Sequence, residues 1–506
     1  MTAKKLVFAG CRCWTGQDSS PASAIAVDRG TIAAVGAQAT MPPWPQVDLG
    51  GRTVMPGLVD SHCHLTSAAT RRLRVGLAAC VSLDHVLRDV CAWGASHQGD
   101  EWIRGWGWDQ HRWVAPTLPS RHDLDRVVRD RPVWLARRDG HSAWLNTLAM
   151  ERLGAPESAP ADLLPLDADG SPVGIVRETL MDDLALRLPA HPENVHARVV
   201  MEEQDHLLSE GIVGVHTVER ARGIGVLNRV AAGNDLRLRI YVMAEAIQPE
   251  ECLQPDVPIS PGGFKLFVDG SLGSGTAWML GDDGTTGTPV TTGAELAGKV
   301  QAALEHGLDP CVHAIGDRAV REVADVFEGR RVSHPERFFR IEHVQHLDAS
   351  DLSRLIGPNL LLSVQPCHLL SDRPVVAALP ARPGRLDFAF GTMLAAGGNL
   401  LMGTDFPIEP SDPWRNIAAA LERCDEGERP WHGEERLAWP AVLRAYSAAP
   451  SRMARWGRTG VLAPGFAADL LVVERDPGVA APWHQRVCLT MIGGDPVYSD
   501  GSIDLP

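Results

Sequence analysis

No apolar stretch in the 506-residue chain approaches the ~20 residues of a membrane helix, so no membrane-spanning segment is expected. The apolar run at residues 6–10 is shorter than the roughly 7–15 residues of a signal-peptide core and reads instead as a first β-strand. The ten cysteines contain no Cys-x-x-Cys pair; Cys11 and Cys13 lie close together and the rest are scattered. In a chain of this length that pattern points to reduced thiols in a cytoplasmic protein and away from a disulfide framework. Positive charge is also short, with 48 Lys and Arg against 63 Asp and Glu and a net charge of -15. An acidic balance argues against nucleic acid or an anionic membrane as the main partner; the expectation of a small-molecule substrate rests on the site residues. Internal repeats and low-complexity tracts are absent as well.

What the sequence does contain is an alternation. Eight short apolar runs end in polar or charged residues: TVMPGLVDSHCH, GIVGVHTVE, LRLRIYVMAE, GGFKLFVDG, PCVHAIGD, FFRIEHVQH, LLLSVQPCH and NLLMGTDFP. Most are separated by segments of helical character, such as ARVVMEEQDHLLSEG and GAELAGKVQAALEHG. Alternating strand and helix predicts a parallel α/β sheet, and eight units fit a (β/α)8 barrel whose chemistry lies at the C-terminal strand ends. Short Gly-broken strands at both ends of the chain could pair into one small sheet domain. The expected organisation is a composite β-sandwich from residues 1–54 and 455–506, and a barrel from 55–454. A segment of about 78–185 is too long for one helix and its loops, and reads as an inserted subdomain.

The strand ends carry the candidate chemistry. His62 and His64 stand two residues apart, which places both imidazoles on one side of an extended strand, where they can share a metal ion. His313 and His343 each follow an apolar run, and histidine is the commonest metal ligand at neutral pH. Asp405 follows the eighth run; it could cap a helix, or bind metal and move a proton. Lys265 lies inside an apolar strand, where an ammonium is expensive. It could pair with Asp269 or another acid. Alternatively, burial could hold it as the neutral amine that takes up carbon dioxide to become a carbamate ligand. In the inserted segment Trp102, Trp106, Trp108, Trp113 and Trp144 crowd together, either as a subdomain core or as walls around an apolar substrate, with Trp108 a candidate contact. Gln365, at the seventh strand end, is a further candidate substrate contact. Asp317 and Arg318 could orient the site, and His216 is either a contact to the site or substrate or, the favoured reading, a packed polar group.

These motifs together resemble the amidohydrolase superfamily, and within it the YtcJ-like branch (amidohydrolase family 3), which includes N-substituted formamide deformylases. The resemblance runs from VMPGLVDSHCHL through DGHSAWLN, FKLFVDGSLGS, VHAIGDRAV, IEHVQHL and GTDFPIEP to GVLAPGFAADLLVV. It implies a distorted TIM barrel with a β-sandwich made from both termini. It also implies metal ligands at His62, His64, Lys265, His313, His343 and Asp405, with one or two divalent ions. Zinc is the metal expected for four imidazoles plus carboxylate-type oxygens, and Lys265 is a candidate for N-carboxylation. His141, in DGHSAWLN, is the substrate contact that the branch motif suggests, and a homodimer is common among such proteins. The implied activity is hydrolysis of a non-peptide C–N bond, in an amide or formamide, by metal-activated hydroxide, with Asp405 as proton carrier and His343 beside it. A mononuclear deaminase of the same superfamily and a non-catalytic ligand-sensing regulator are the competing readings. Lys265 disfavours the first, and the full ligand set disfavours the second.

Overall fold

The computed structural model describes residues 5–17, 21–40, 43–97, 101–138, 142–156, 158–246, 259–281 and 284–506. Its centre is a parallel sheet of eight strands: β1 (Leu58–Cys63), β2 (Ile212–Glu219), β3 (Arg239–Ala244), β4 (Ile259–Phe267), β5 (Asp309–Ala314), β6 (Phe339–His343), β7 (Leu360–Val364) and β8 (Asn399–Met402). Neighbours in space are neighbours in this order, from β1 through to β8. Each of the eight apolar runs supplies one strand. Strands so apolar form because both faces are covered, one by barrel interior and one by helices. The helices Gly293–Glu305 and Asp317–Ser333 follow β4 and β5 as crossovers. The ring is nearly closed. Cys63 bridges to Phe406 in parallel fashion, the Asp405 amide donates to the His62 carbonyl at 2.7 Å, and the His64 amide donates to the Phe406 carbonyl at 2.8 Å.

That seam depends on Asp60 and Gly403. Asp60 is fully buried; Oδ1 accepts from the amides of His62 and Thr404, each at 3.0 Å, and Oδ2 from the Thr404 hydroxyl at 2.5 Å. A Cβ at Gly403 would collide with the His62 amide, so only glycine lets the end of β8 approach β1 this closely.

Strands from the two ends of the chain form two further sheets. One contains Leu6–Ala9, Ile25–Asp28, Thr31–Val35 and Gln46–Asp48. The other contains Arg12–Cys13, Thr53–Pro56, Leu470–Val473, Val487–Ile492 and Asp495–Ser499. Their inner faces share one apolar core in which Phe8, Ile25 and Val27 meet Val54, Leu470, Val472 and Leu489. The Arg239 guanidinium ties this part to the barrel through a two-pronged bond to Asp469, at 2.7 and 3.0 Å.

Ala69–Val199 forms a separate compact unit with its own five-stranded sheet. Trp108, Trp113 and Trp144 lie in one of its apolar cores and Trp102 in another. Trp108 is 1% exposed and its indole donates to the Leu135 carbonyl at 2.8 Å. The tryptophan crowd is therefore mostly this unit's interior, and the reading of Trp108 as a substrate wall gives way to a core role. Trp106 alone of the five is exposed.

Candidate metal centre

The barrel strands bring the distant candidate residues to one rim. His62 is the penultimate residue of β1 and His64 lies just past its end, and their rings lie 5.9 Å apart. The His343 ring, from β6, is 4.9 Å from that of His62 and 4.5 Å from that of His313 on β5. Lys265 of β4 places Nζ 3.3 Å from His62 Nε2. Asp405, three residues past β8, has Oδ1 3.5 Å from His62 Nε2 and 3.3 Å from His64 Nε2. One cavity of about 370 Å³ is lined by all six, with the apolar side chains of Phe267, Leu272 and Ile315 on its walls. Two of the six have left-handed backbones, His343 with φ 76° and Asp405 with φ 60°. Such conformations are uncommon outside glycine and cluster where structure is held for function.

Three imidazoles are aimed by bonds on the side away from the cavity. His62 Nδ1 meets Glu342 Oε2 at 2.5 Å, His343 Nδ1 meets Gln365 Oε1 at 2.8 Å, and His313 Nε2 meets the Gly270 carbonyl at 3.1 Å. Since those partners accept, each bonded nitrogen carries the hydrogen, and the opposite nitrogen is a bare lone pair. Gln365 thus stands behind His343 and off the cavity wall, which replaces its expected role as a substrate contact with that of orienting an imidazole. Glu342 is fully buried and is held by the Arg340 guanidinium, which also donates to the Ser61 carbonyl, to Ser363 Oγ and, at 3.0 Å, to His216 Nδ1. His216 belongs to this packed polar layer, flanked by Tyr241 and Trp456.

The electrostatics match the geometry. Burial, helped by the Lys265 charge, lowers the pKa of His62 to about 4 and that of His313 to about 3; burial, followed by His313, holds His343 well below the usual imidazole range. All three are neutral near pH 7. Burial also lowers the pKa of Lys265. Asp269 does not offset that amine: it accepts from the amides of Trp278, Ile315 and Gly316 at 2.9–3.0 Å. Burial works against ionisation of Asp405, but His62, His368 and His64 outweigh it and hold the carboxyl well below its usual range.

A divalent cation fits these residues. Ligand atoms of His62, His343 and Asp405 all lie within 4.8 Å of one another, and Asp405 Oδ1 is buried without a hydrogen-bond partner. A buried carboxylate oxygen needs a partner. Lone-pair imidazoles and an ionised carboxylate are the donor set that zinc and similar cations take.

The remaining candidates lie apart. Asp317 accepts from the Leu280 amide and pairs with Arg382, and Arg318 pairs with Glu322; neither touches His313. His141 lies outside the described residues. Sequence reasoning passed over Glu342, Arg340 and Asp60, and also Gln345 and His368, which line the cavity. The last two were visible as polar residues in HVQH and SVQPCH, the same strand-end segments that drew attention to His343 and Gln365.

An eight-stranded parallel barrel with this donor set at its C-terminal rim defines the class: a metal-dependent hydrolase. The chain belongs to the amidohydrolase family, whose model matches residues 46–498. The protein YtcJ of Bacillus subtilis (strain 168) is 27% identical over 95% of this chain and 97% of its own length. The N-substituted formamide deformylase of Arthrobacter pascens is 24% identical over 91% of each. A crystal structure of an uncharacterized metal-dependent hydrolase from Pyrococcus horikoshii OT3 superposes with a TM-score of 0.77 at 25% identity, covering 95% of this chain and 100% of that one.

Proposed function

We propose that the chain hydrolyses a non-peptide C–N bond of a small amide or formamide at the centre formed by His62, His64, Lys265, His313, His343 and Asp405. The observation that carries this reading is the unpartnered Asp405 Oδ1 facing the His62 and His64 nitrogens within one cavity. The deformylase relative supports the bond type. These six side chains would hold one or two divalent ions, zinc fitting best, with Lys265 contributing as a carbamate if two are bound. A bound divalent cation supplies Lewis acidity, polarising a carbonyl and lowering the pKa of water.

The chain's own groups do the rest. Asp405, ionised before reaction, accepts a proton from the attacking water at Oδ1 and returns it to the leaving nitrogen. His343 is kept neutral by burial and fixed by Gln365, so it presents its free nitrogen beside Asp405 without competing for that proton. Phe267, Leu272 and Ile315 on the cavity walls favour an apolar substituent. The reading is tested by screening zinc- and manganese-loaded protein against formamides, N-acyl amines, cyclic amides and carbamates. Turnover in at least one class is expected, and inactivity in all of them contradicts it.

A further inference from the structure

His368 and Gln345 line the same cavity but belong to no ligand set described above. His368 lies in the helix Pro366–Ala378 that follows β7, and is 7% exposed. Its ring stacks on that of His343 with 5.7 Å between centroids and 8° between planes. On one side, Nδ1 is 2.9 Å from Gln345 Nε2; on the other, Nε2 is 3.4 Å from Asp405 Oδ2.

The orientation of the Gln345 amide decides which way this chain of contacts runs. Gln345 also bonds the Asp372 carboxyl, whose pKa burial raises and this bond draws back down. A carboxylate accepts and does not donate, so the NH2 of Gln345, not its oxygen, must face it. The same NH2 then donates to His368 Nδ1. An imidazole that accepts at Nδ1 carries its hydrogen on Nε2, the nitrogen that lies 3.4 Å from Asp405 Oδ2. The two oxygens of Asp405 are thereby made unequal. Oδ2 faces the His368 ring on the helix side, and Oδ1 faces His62 and His64.

We propose that His368, its tautomer set by Gln345 and Asp372, is a positioning residue that holds Asp405 Oδ2 and so commits Oδ1 to the metal centre. The inference rests on the reading of Asp405 as ligand and proton carrier. It keeps the oxygen that ligates and accepts the proton turned to the centre, which a freely rotating carboxylate would not do.

The test compares His368→Leu, which removes the donor, with His368→Gln, whose side-chain amide can return an N–H to nearly the same place. Three readouts are taken on the full chain: the thermal midpoint, zinc affinity by competition with a chromogenic chelator, and kcat and KM on whichever amide the wild type turns over. His368→Leu is expected to fold and to bind zinc about 10- to 100-fold more weakly, with kcat reduced on a similar scale and KM nearly unchanged. His368→Gln is expected to recover most of both. Equal zinc affinity in wild type and His368→Leu overturns the proposal, as does an increase in KM with kcat intact, which would make His368 a substrate wall. Loss without rescue by Gln, in variants that retain the wild-type thermal midpoint, also overturns it. The chelator readout needs no substrate, so it stands even if the wild type hydrolyses none of the amides tried.

Discussion

His62 Nδ1 and Glu342 Oε2 meet at 2.5 Å although 280 residues separate them in the chain. Glu342 is fully buried and shared with Arg340, so the contact fixes the His62 ring against the barrel interior and turns Nε2 to the cavity. Glu342→Ala would release His62 and leave the Arg340 guanidinium buried without its acid. Leaving such a charge uncompensated costs about 3–5 kcal/mol, and losing a ligand's orienting partner weakens metal binding about 10- to 100-fold. A denaturant melt and a zinc titration of this variant should show both losses. Wild-type values in both would remove Glu342 from the account.

The depressed histidines set a pH dependence for metal-stripped protein. His62 and His313 have folded pKa values of about 4 and about 3, below the 6.5 of a free imidazole, chiefly through burial. The unfolded chain therefore takes up protons there that the folded chain refuses, and stability falls as pH drops from about 6.5 toward 4. Asp60 and Asp269, raised by burial to about 6, act in the opposite sense over part of that range. His343 and His216, also depressed by burial, act with His62 and His313. Chelated protein should melt at progressively lower temperature from pH 6.5 to pH 4.5. A flat or rising midpoint would contradict the burial assigned to these rings.

Lys265 is one of four lysines in the chain, with Lys4, Lys5 and Lys299, and it is 2% exposed. If its amine bridges as a carbamate, Lys265→Ala should bind fewer ions per chain than wild type. Added acetate or propionate, which can occupy the vacated space with a carboxylate, should restore part of the lost turnover. Ion counting by mass spectrometry together with that rescue checks the role. Unchanged ion content in Lys265→Ala would exclude it.

The Arg239–Asp469 pair joins the terminal sheets to the barrel far from the chemistry in sequence. Asp469 is 4% exposed and also accepts from the Gly493 amide at 2.7 Å. Asp469→Ala should lower stability by about 2 kcal/mol through lost charge-assisted bonds, with kcat unchanged at temperatures well below the melt. Chemical denaturation and steady-state kinetics on one preparation separate the two effects.

Periodicity carried the fold a long way. Each of the eight apolar runs became a strand, because strands covered on both faces must be apolar and must end where the polar loops begin. The site was legible where side-chain alternation holds, as with His62 in β1 and His64 just past it. It was not legible where the backbone leaves that pattern. Arg340 and Glu342 share one side of β6, and regular alternation would turn His343 to the other; its left-handed φ brings it back to the cavity beside His62. Asp405 turns inward by the same kind of residue conformation. Gln365 and Trp108 were misplaced for a related reason: residue type shows what a side chain can do, but not whether a ligand or a neighbouring ring stands before it. Glu342 was missed because His62, from β1, meets it only once the barrel closes.

The central claim is that Asp405 both ligates the cation and carries the proton, and Asp405→Asn tests it most directly. The amide keeps one oxygen that can ligate but loses the basicity needed to take a proton. Bound ions per chain and kcat should be measured side by side on wild type and variant with the best substrate from the screen. The expected result is partial retention of metal with turnover down about 10²- to 10⁴-fold. A metal-loaded Asp405→Asn protein that turns over at the wild-type rate would contradict the account.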